Sequence, residues 1–352
     1  MSENPYQTEP YFHQLLQKCI SAGARDLHLQ VGKPPSARVG SDLVFFRLDE
    51  LEEQHLRSVA GHLIFDESIF QQLETLHEYR GLYEVLGLGR FRVHLYRQNG
   101  SLALVLRIIP DKIRTFEELG APPLCATIAQ KKSGLIVVAG PCASGKTSSL
   151  AAYVHALNQS KSMHIVTLDD LIEYRHISRK CAISQRQVGR DTDSFATGLQ
   201  SAMAQDCDMI TVSDLRDGET LALALDAAES GHLVIVSLAV SNVTQSIRRL
   251  KALAQADRRG GVERLSHGLV AIIAQKLLPK VGGSGFALAT EVLINTESTR
   301  EEFCRAHMDQ SAVEDLMTRS QETYGMVTFQ ASIAELESRG SISSAVARLA
   351  FA

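Results

Sequence analysis

The chain has 352 residues, enough for two domains that each carry their own core. Charged residues are 22% and hydrophobic ones 45%, an ordinary globular balance, and the net charge of −4 leaves no basic excess to neutralise a phosphate backbone, which argues against a general polyanion binder. The six cysteines (Cys19, Cys125, Cys142, Cys181, Cys207 and Cys304) contain no C-x-x-C pair, so neither a disulfide framework nor a zinc ribbon is expected, and no apolar run approaches the ~18 residues that span a bilayer. The first residues, MSENPYQTEPYFHQ, are polar and lack the apolar core of a signal peptide, so a cytoplasmic chain is expected.

In chain order, Phe12 to Ser21 reads as an amphipathic helix, Asp26 to Val31 alternates like a strand, and a second strand near Ala37 to Val39 follows the Lys33-Pro34-Pro35 turn. Leu56 to Ile64 is helical. Gly89 to Tyr96 and Leu102 to Ile109 pair as a hairpin around Asn99-Gly100. Pro110 to Pro123 has few large apolar residues and reads as a linker, giving an N-terminal domain over 1–110, a linker over 111–123 and a second domain over 124–352. There the apolar run Leu135 to Ala139 ends at Gly140, and Leu150, Ala151, Val154 and Leu157 share a helical face. Between them lies G-x-x-x-x-G-K-[ST], here Gly140, Pro141, Cys142, Ala143, Ser144, Gly145, Lys146 and Thr147, followed by Ser148. A strand-to-helix turn of this composition cradles phosphates with its backbone N–H groups, with the lysine on the β- and γ-phosphates and the Thr147 hydroxyl on Mg²⁺. ATP and Mg²⁺ are therefore the expected ligands. Further strands at His164 to Leu168, Met209 to Val212 and Leu233 to Leu238 alternate with helices and predict a parallel sheet of the RecA type; the chain after about Arg248 reads as largely helical. Asp214 ends an apolar strand, where ligands bind in such sheets.

The order of motifs resembles the secretion and pilus motor ATPases, most nearly the PilT/PilU branch of type IV pilus retraction ATPases. Arg25 to Leu29 with Gly32 to Pro35 looks like the SDLH…GxPP segment, and Gly89 to Val93 like the GRFRV hairpin. His164 to His176 occupies the acidic box, Ser201 to Asp217 the Walker B segment, Ala227 to Ser241 the histidine box and Tyr324 to Ile342 the closing helix. The resemblance implies a PAS-like N-terminal domain, a RecA-like ATPase core with a C-terminal helical subdomain, and a homohexamer whose sites lie between subunits. It implies catalytic roles for Asp214, Asp169, Glu173 and His232, and inter-subunit contacts from Arg92 and Arg107 to a neighbour's phosphates. It implies a motor at the cytoplasmic face of the inner membrane, bound there through a pilus platform protein, with no nucleic-acid partner. Asp169 and Asp170 are also residues that cap a following segment.

The departures fall on the chemistry. Asp214 and Asp169 stand where the family has glutamates, Ala239 replaces the second histidine of the histidine box, Ala204 an arginine, Leu171 a proline, and Cys142-Ala143 a Thr-Gly pair. An aspartate draws the carboxylate back by about 1.5 Å, and misplacement of about 1 Å costs about 10²-fold in rate. Slow hydrolysis is the expectation, and the alternative is a weakly hydrolysing accessory subunit beside an intact PilT-type paralogue. Ser298 to Ala306 aligns with the retraction motif through Arg300.

Overall fold

The structure, a computed structural model, describes residues 4–40, 42–283, 285–304 and 309–351. Met1 to Glu3, and Arg305 and Ala306 of the segment aligned with the retraction motif, lie outside the described residues. The chain divides into two compact units, Met1–Lys112 with Gly283–Gly285 and Ile113–Gly282 with Phe286–Ala352.

The first unit holds an antiparallel sheet of β1 (Ala24–Gln30), β2 (Ser36–Val39), β3 (Asp42–Phe45), β4 (Glu78–Val85), β5 (Gly89–Gln98) and β6 (Ser101–Ile109), in the order β3-β2-β1-β6-β5-β4. This is the expected PAS-like domain. Period-two alternation turns Leu27 and Leu29, Phe91, Val93 and Leu95, and Leu102, Leu104 and Leu106 to one face. There they pack on Phe12 and Leu16 of the helix Glu9–Ser21 and on Leu56 and Leu63 of the helix Glu53–Leu63. Asn99 and Gly100 supply the positive φ values, 50° and 82°, that a tight hairpin turn between β5 and β6 needs. Edge strands β3 and β4 were not anticipated: all four residues of β3 are exposed, so it carries no burial pattern to read.

The second unit holds β7 (Gly134–Ala139), β8 (His164–Asp169), β9 (Ala182–Gln187), β10 (Met209–Val212), β11 (Leu233–Leu238), β12 (Leu269–Pro279) and β13 (Phe286–Ile294), in the order β13-β12-β7-β11-β10-β8-β9. All neighbours are parallel except β12 and β13. Helices cover both faces, so β7, β10 and β11 are buried throughout and read as continuous apolar runs. Leu135, Val137 and Ala139 join one core layer, Ile136 and Val138 the other.

Two expectations need correction. The region after Arg248 is not simply helical, because β12 and β13 extend the sheet beside the phosphate-loop strand; helices resume from Glu297. Leu269–Pro279 (LVAIIAQKLLP) is an apolar run whose periodicity cannot tell a buried strand from a buried helix. The segment read as a linker is also partly structured. Thr115 caps a helical turn at Phe116–Leu119, and the buried Phe116 ring meets Tyr153 edge-on with centroids 4.7 Å apart.

Candidate functional site

The phosphate loop leaves the C-terminal end of β7 and enters the helix Lys146–Ser160. Its shape is set by close packing. A β-carbon on Gly140 would lie 2.2 Å from Ser144 Oγ and 2.8 Å from the Gln275 carbonyl, so only glycine fits there. Ala143 adopts φ 62°, a left-handed conformation that costs an L-residue about 1–2 kcal/mol. Pro141, Cys142 and Ala143 are exposed and Ser144 is buried. Lys146 Nζ donates to the carbonyls of Gly140 at 2.8 Å and Pro141 at 3.0 Å, which places the ammonium over the mouth of the loop. Burial pulls its pKa below the ordinary value, while the Asp214 carboxylate is near enough to act in the opposite sense. Thr147 is exposed on the first helical turn, and Ser148 Oγ meets the Tyr174 hydroxyl at 2.9 Å.

Gln275 of β12, a residue the sequence reading missed, braces this loop. Its carboxamide donates to the Ser144 carbonyl at 2.7 Å and accepts from Ser149 Oγ at 2.8 Å, both ends buried. These contacts span more than a hundred residues, and no local signal announces them.

The acidic residues converge on the same sheet edge. Asp169 ends β8 and accepts from Thr167 Oγ1 at 2.8 Å. Burial pushes its pKa up to about 6, partly opposed by that hydrogen bond and reinforced by Glu173. Thr147, Thr167, Asp169, Glu173, Thr211 and Ser213 line one cleft beside the loop. Ser213 ties the strand ends together: its hydroxyl accepts from the Asp170 N–H at 2.9 Å, and its carbonyl accepts from Ser237 Oγ at 2.6 Å. Asp214 follows directly, its Oδ2 accepting from Arg216 Nε at 2.6 Å. Two strands separate β7 from β8 and one separates it from β10, lateral steps of about 4.8 Å each.

His232 does not join them. It precedes β11 at the opposite edge, and β11 runs parallel to β7 with Leu233 beside Gly134 and Leu238 beside Ala139. At about 3.3 Å per residue the imidazole lies roughly 20 Å from the phosphate-loop end of its own chain. Its Nδ1 faces the Ala227 carbonyl at 3.0 Å and Ser230 Oγ at 3.1 Å, the contacts of a structural histidine. Within its own chain His232 thus lies a strand's length from the phosphate loop, and Ala239 follows the loop end of the same strand.

Arg92 and Arg107 sit in the first unit, opposite each other in the β5–β6 register. Arg107 Nε donates to Asp26 Oδ1 at 2.7 Å and Arg25 Nε to Asp26 Oδ2 at 2.9 Å. Burial works to raise the Asp26 carboxyl, but these hydrogen bonds hold it below the ordinary range.

The donor set suits a nucleotide-borne cation. Among the described residues there is no group of three or more His, Cys, Asp or Glu side chains that could hold a metal by themselves. A divalent ion would rest on the Thr147 hydroxyl and on phosphate oxygens, the usual habit of Mg²⁺.

Comparison with known proteins agrees with this geometry. The sequence model of the family described as "Type II/IV secretion system protein" matches residues 90–344. The chain is 38% identical over 288 residues to the type IV pilus retraction ATPase PilT of Pseudomonas aeruginosa, covering 82% of this chain and 83% of that one. It is 34% identical over 333 residues to the type IV pilus ATPase PilU of the same organism, covering 94% and 86%. The crystal structure of the pilus retraction motor PilT with bound ADP superposes with a TM-score of 0.80 at 33% identity, covering 96% of each chain. The chain belongs to the type II/IV secretion system protein family, among its PilT-like ATPases.

Proposed function

We propose that this chain is an ATP-hydrolysing motor of the pilus-retraction type, working as a homohexamer at the cytoplasmic face of the inner membrane through a pilus platform protein. The observation that carries the reading is the convergence of the phosphate loop, Asp169 and Asp214 on one edge of one sheet. Lys146 and the loop N–H groups hold the β- and γ-phosphates, and Thr147 presents its hydroxyl to the ion. Mg²⁺, when bound, neutralises charge on the phosphate oxygens. Asp214 orients the attacking water, and Asp169 with Glu173 holds a second acidic face to the cleft. Arg92 and Arg107 reach a neighbouring subunit's phosphates. Among the described residues no helix is long and apolar enough to cross a membrane, which fits attachment through another protein.

The test is binding of a fluorescent ATP analogue, steady-state ATPase of wild type, Asp214→Glu and Asp214→Ala, and light scattering with a non-hydrolysable analogue. Slow turnover, a higher kcat in Asp214→Glu, loss in Asp214→Ala and a hexameric mass are expected. Wild-type turnover in Asp214→Ala would remove Asp214 from the mechanism. Binding without any turnover favours the accessory subunit beside an intact paralogue, the reading that the shortened Asp214 and Asp169 and the Ala239 replacement support.

A further inference from the structure

Arg216 lies two residues beyond Asp214, and the chain turns there so that its guanidinium folds back over the strand ends. Nε donates to Asp214 Oδ2 at 2.6 Å, and Nη2 stands 3.4 Å from Asp170 Oδ1. Asp214 follows β10 and Asp170 follows β8, neighbouring strands in parallel register, so one side chain joins the Walker B segment to the acidic box. The Arg216 guanidinium carbon also stands 5.9 Å from the Phe195 ring centroid, and its main-chain carbonyl accepts from Arg249 Nη2 at 3.0 Å.

We propose that Arg216 is the positioning residue for the Asp214 carboxylate. Its hydrogen bond to Oδ2 selects one side-chain rotamer and turns Oδ1 toward the position of the attacking water. The need is acute because an aspartate has less reach than a glutamate, so a small error in aim cannot be absorbed by a longer chain. A planar fork can address two carboxylates at fixed angles, and an ammonium cannot. The inference rests on the reading that Asp214 orients the attacking water.

The experiment measures kcat, KM and ATP-analogue affinity for the full-length protein, Arg216→Gln, Arg216→Lys, Asp214→Asn and the double variant Arg216→Gln/Asp214→Asn. Arg216→Gln is expected to lower kcat about 10- to 100-fold with KM within about twofold, since phosphate binding does not use it. Arg216→Lys should recover part of the loss. In the Asp214→Asn background, Arg216→Gln should change kcat less than about twofold, the mark of a residue that acts through another. An equal fall in both backgrounds, or an unchanged kcat in Arg216→Gln, overturns the proposal while leaving Asp214 in place. Wild-type turnover by Asp214→Asn overturns the underlying reading instead. Should Arg216→Gln misfold, Arg216→Lys carries the same comparison.

Discussion

The two edges of the seven-stranded sheet are made from similar residues and do different work. At the C-terminal edge, Asp169, Ser213 and Thr147 line one cleft, and Asp214 follows Ser213 directly. At the N-terminal edge, polar side chains close on their own surroundings. His232 contacts the Ala227 carbonyl, His164 Nδ1 faces the Gln205 carbonyl at 3.1 Å, and Asp208 accepts from the His164 N–H at 2.8 Å. Strand direction is the cause. Parallel strands deliver every following helix N-terminus, with its unpaired N–H groups and positive dipole end, to one edge only. Which edge a histidine or an aspartate occupies therefore says more about its chemistry than its residue type.

The contrast predicts a graded series of effects. Lys146→Ala, at the loop edge, should weaken ATP-analogue binding more than about 100-fold, because a charge-assisted contact to phosphate is lost; unchanged affinity would disqualify the loop. Gln275→Leu should leave the buried Ser144 carbonyl and Ser149 hydroxyl without their partner, costing about 1–3 kcal/mol in denaturant unfolding and weakening ATP binding with it. A variant as stable as wild type would show that the brace is dispensable.

Glu291 tests the same edge by pH. It lies in register with Ala274, which is beside Ala139, and it accepts from the Val243 N–H at 2.7 Å. Burial pushes its carboxyl up to about 7, against the pull of that N–H; Glu314 raises it further and Lys276 lowers it. The folded state thus holds a proton that the unfolded chain releases near the ordinary glutamate value. Stability should be highest below that value and fall as pH rises through about 7, and Glu291→Gln should flatten the dependence of Tm between pH 5 and 8. An equally steep slope in Glu291→Gln would place the titrating group elsewhere.

Smaller effects complete the series. Ala143→Gly should gain about 0.4–1 kcal/mol or more in unfolding free energy by relieving the left-handed strain, offset in part by chain entropy. His232→Ala, at the other edge, should leave kcat within about twofold while lowering Tm by a few degrees, the cost of one lost hydrogen bond. A large kcat defect there would reverse the assignment of the two edges.

Much of this is legible in the sequence. The parallel strands declared themselves because burial on both faces makes each a short unbroken apolar run, and the Asn99-Gly100 turn is a strong local signal. Edge strands β3 and β4 bury too little to leave a pattern. The β12 run is ambiguous because Leu269 to Ala274 is continuously apolar, a pattern that a buried strand and a buried helix share. Gln275 was invisible because its partners are set by tertiary packing, and Arg216 stood in plain view without its geometry. The distance between His232 and the loop is set by the length of β11, which a motif written as a string does not show.

The place of β12 bears on how the chain can be divided. A fragment ending at Ala254 would keep every motif from the phosphate loop through the histidine box and would look like a minimal ATPase on paper. It would lack the strand that flanks β7 and the carboxamide beneath the loop. Its β7 would become a bare apolar edge, a template for association with other chains. The catalytic module is therefore longer than its signature, and recombination or truncation between Ala254 and Leu269 cuts through a functional unit.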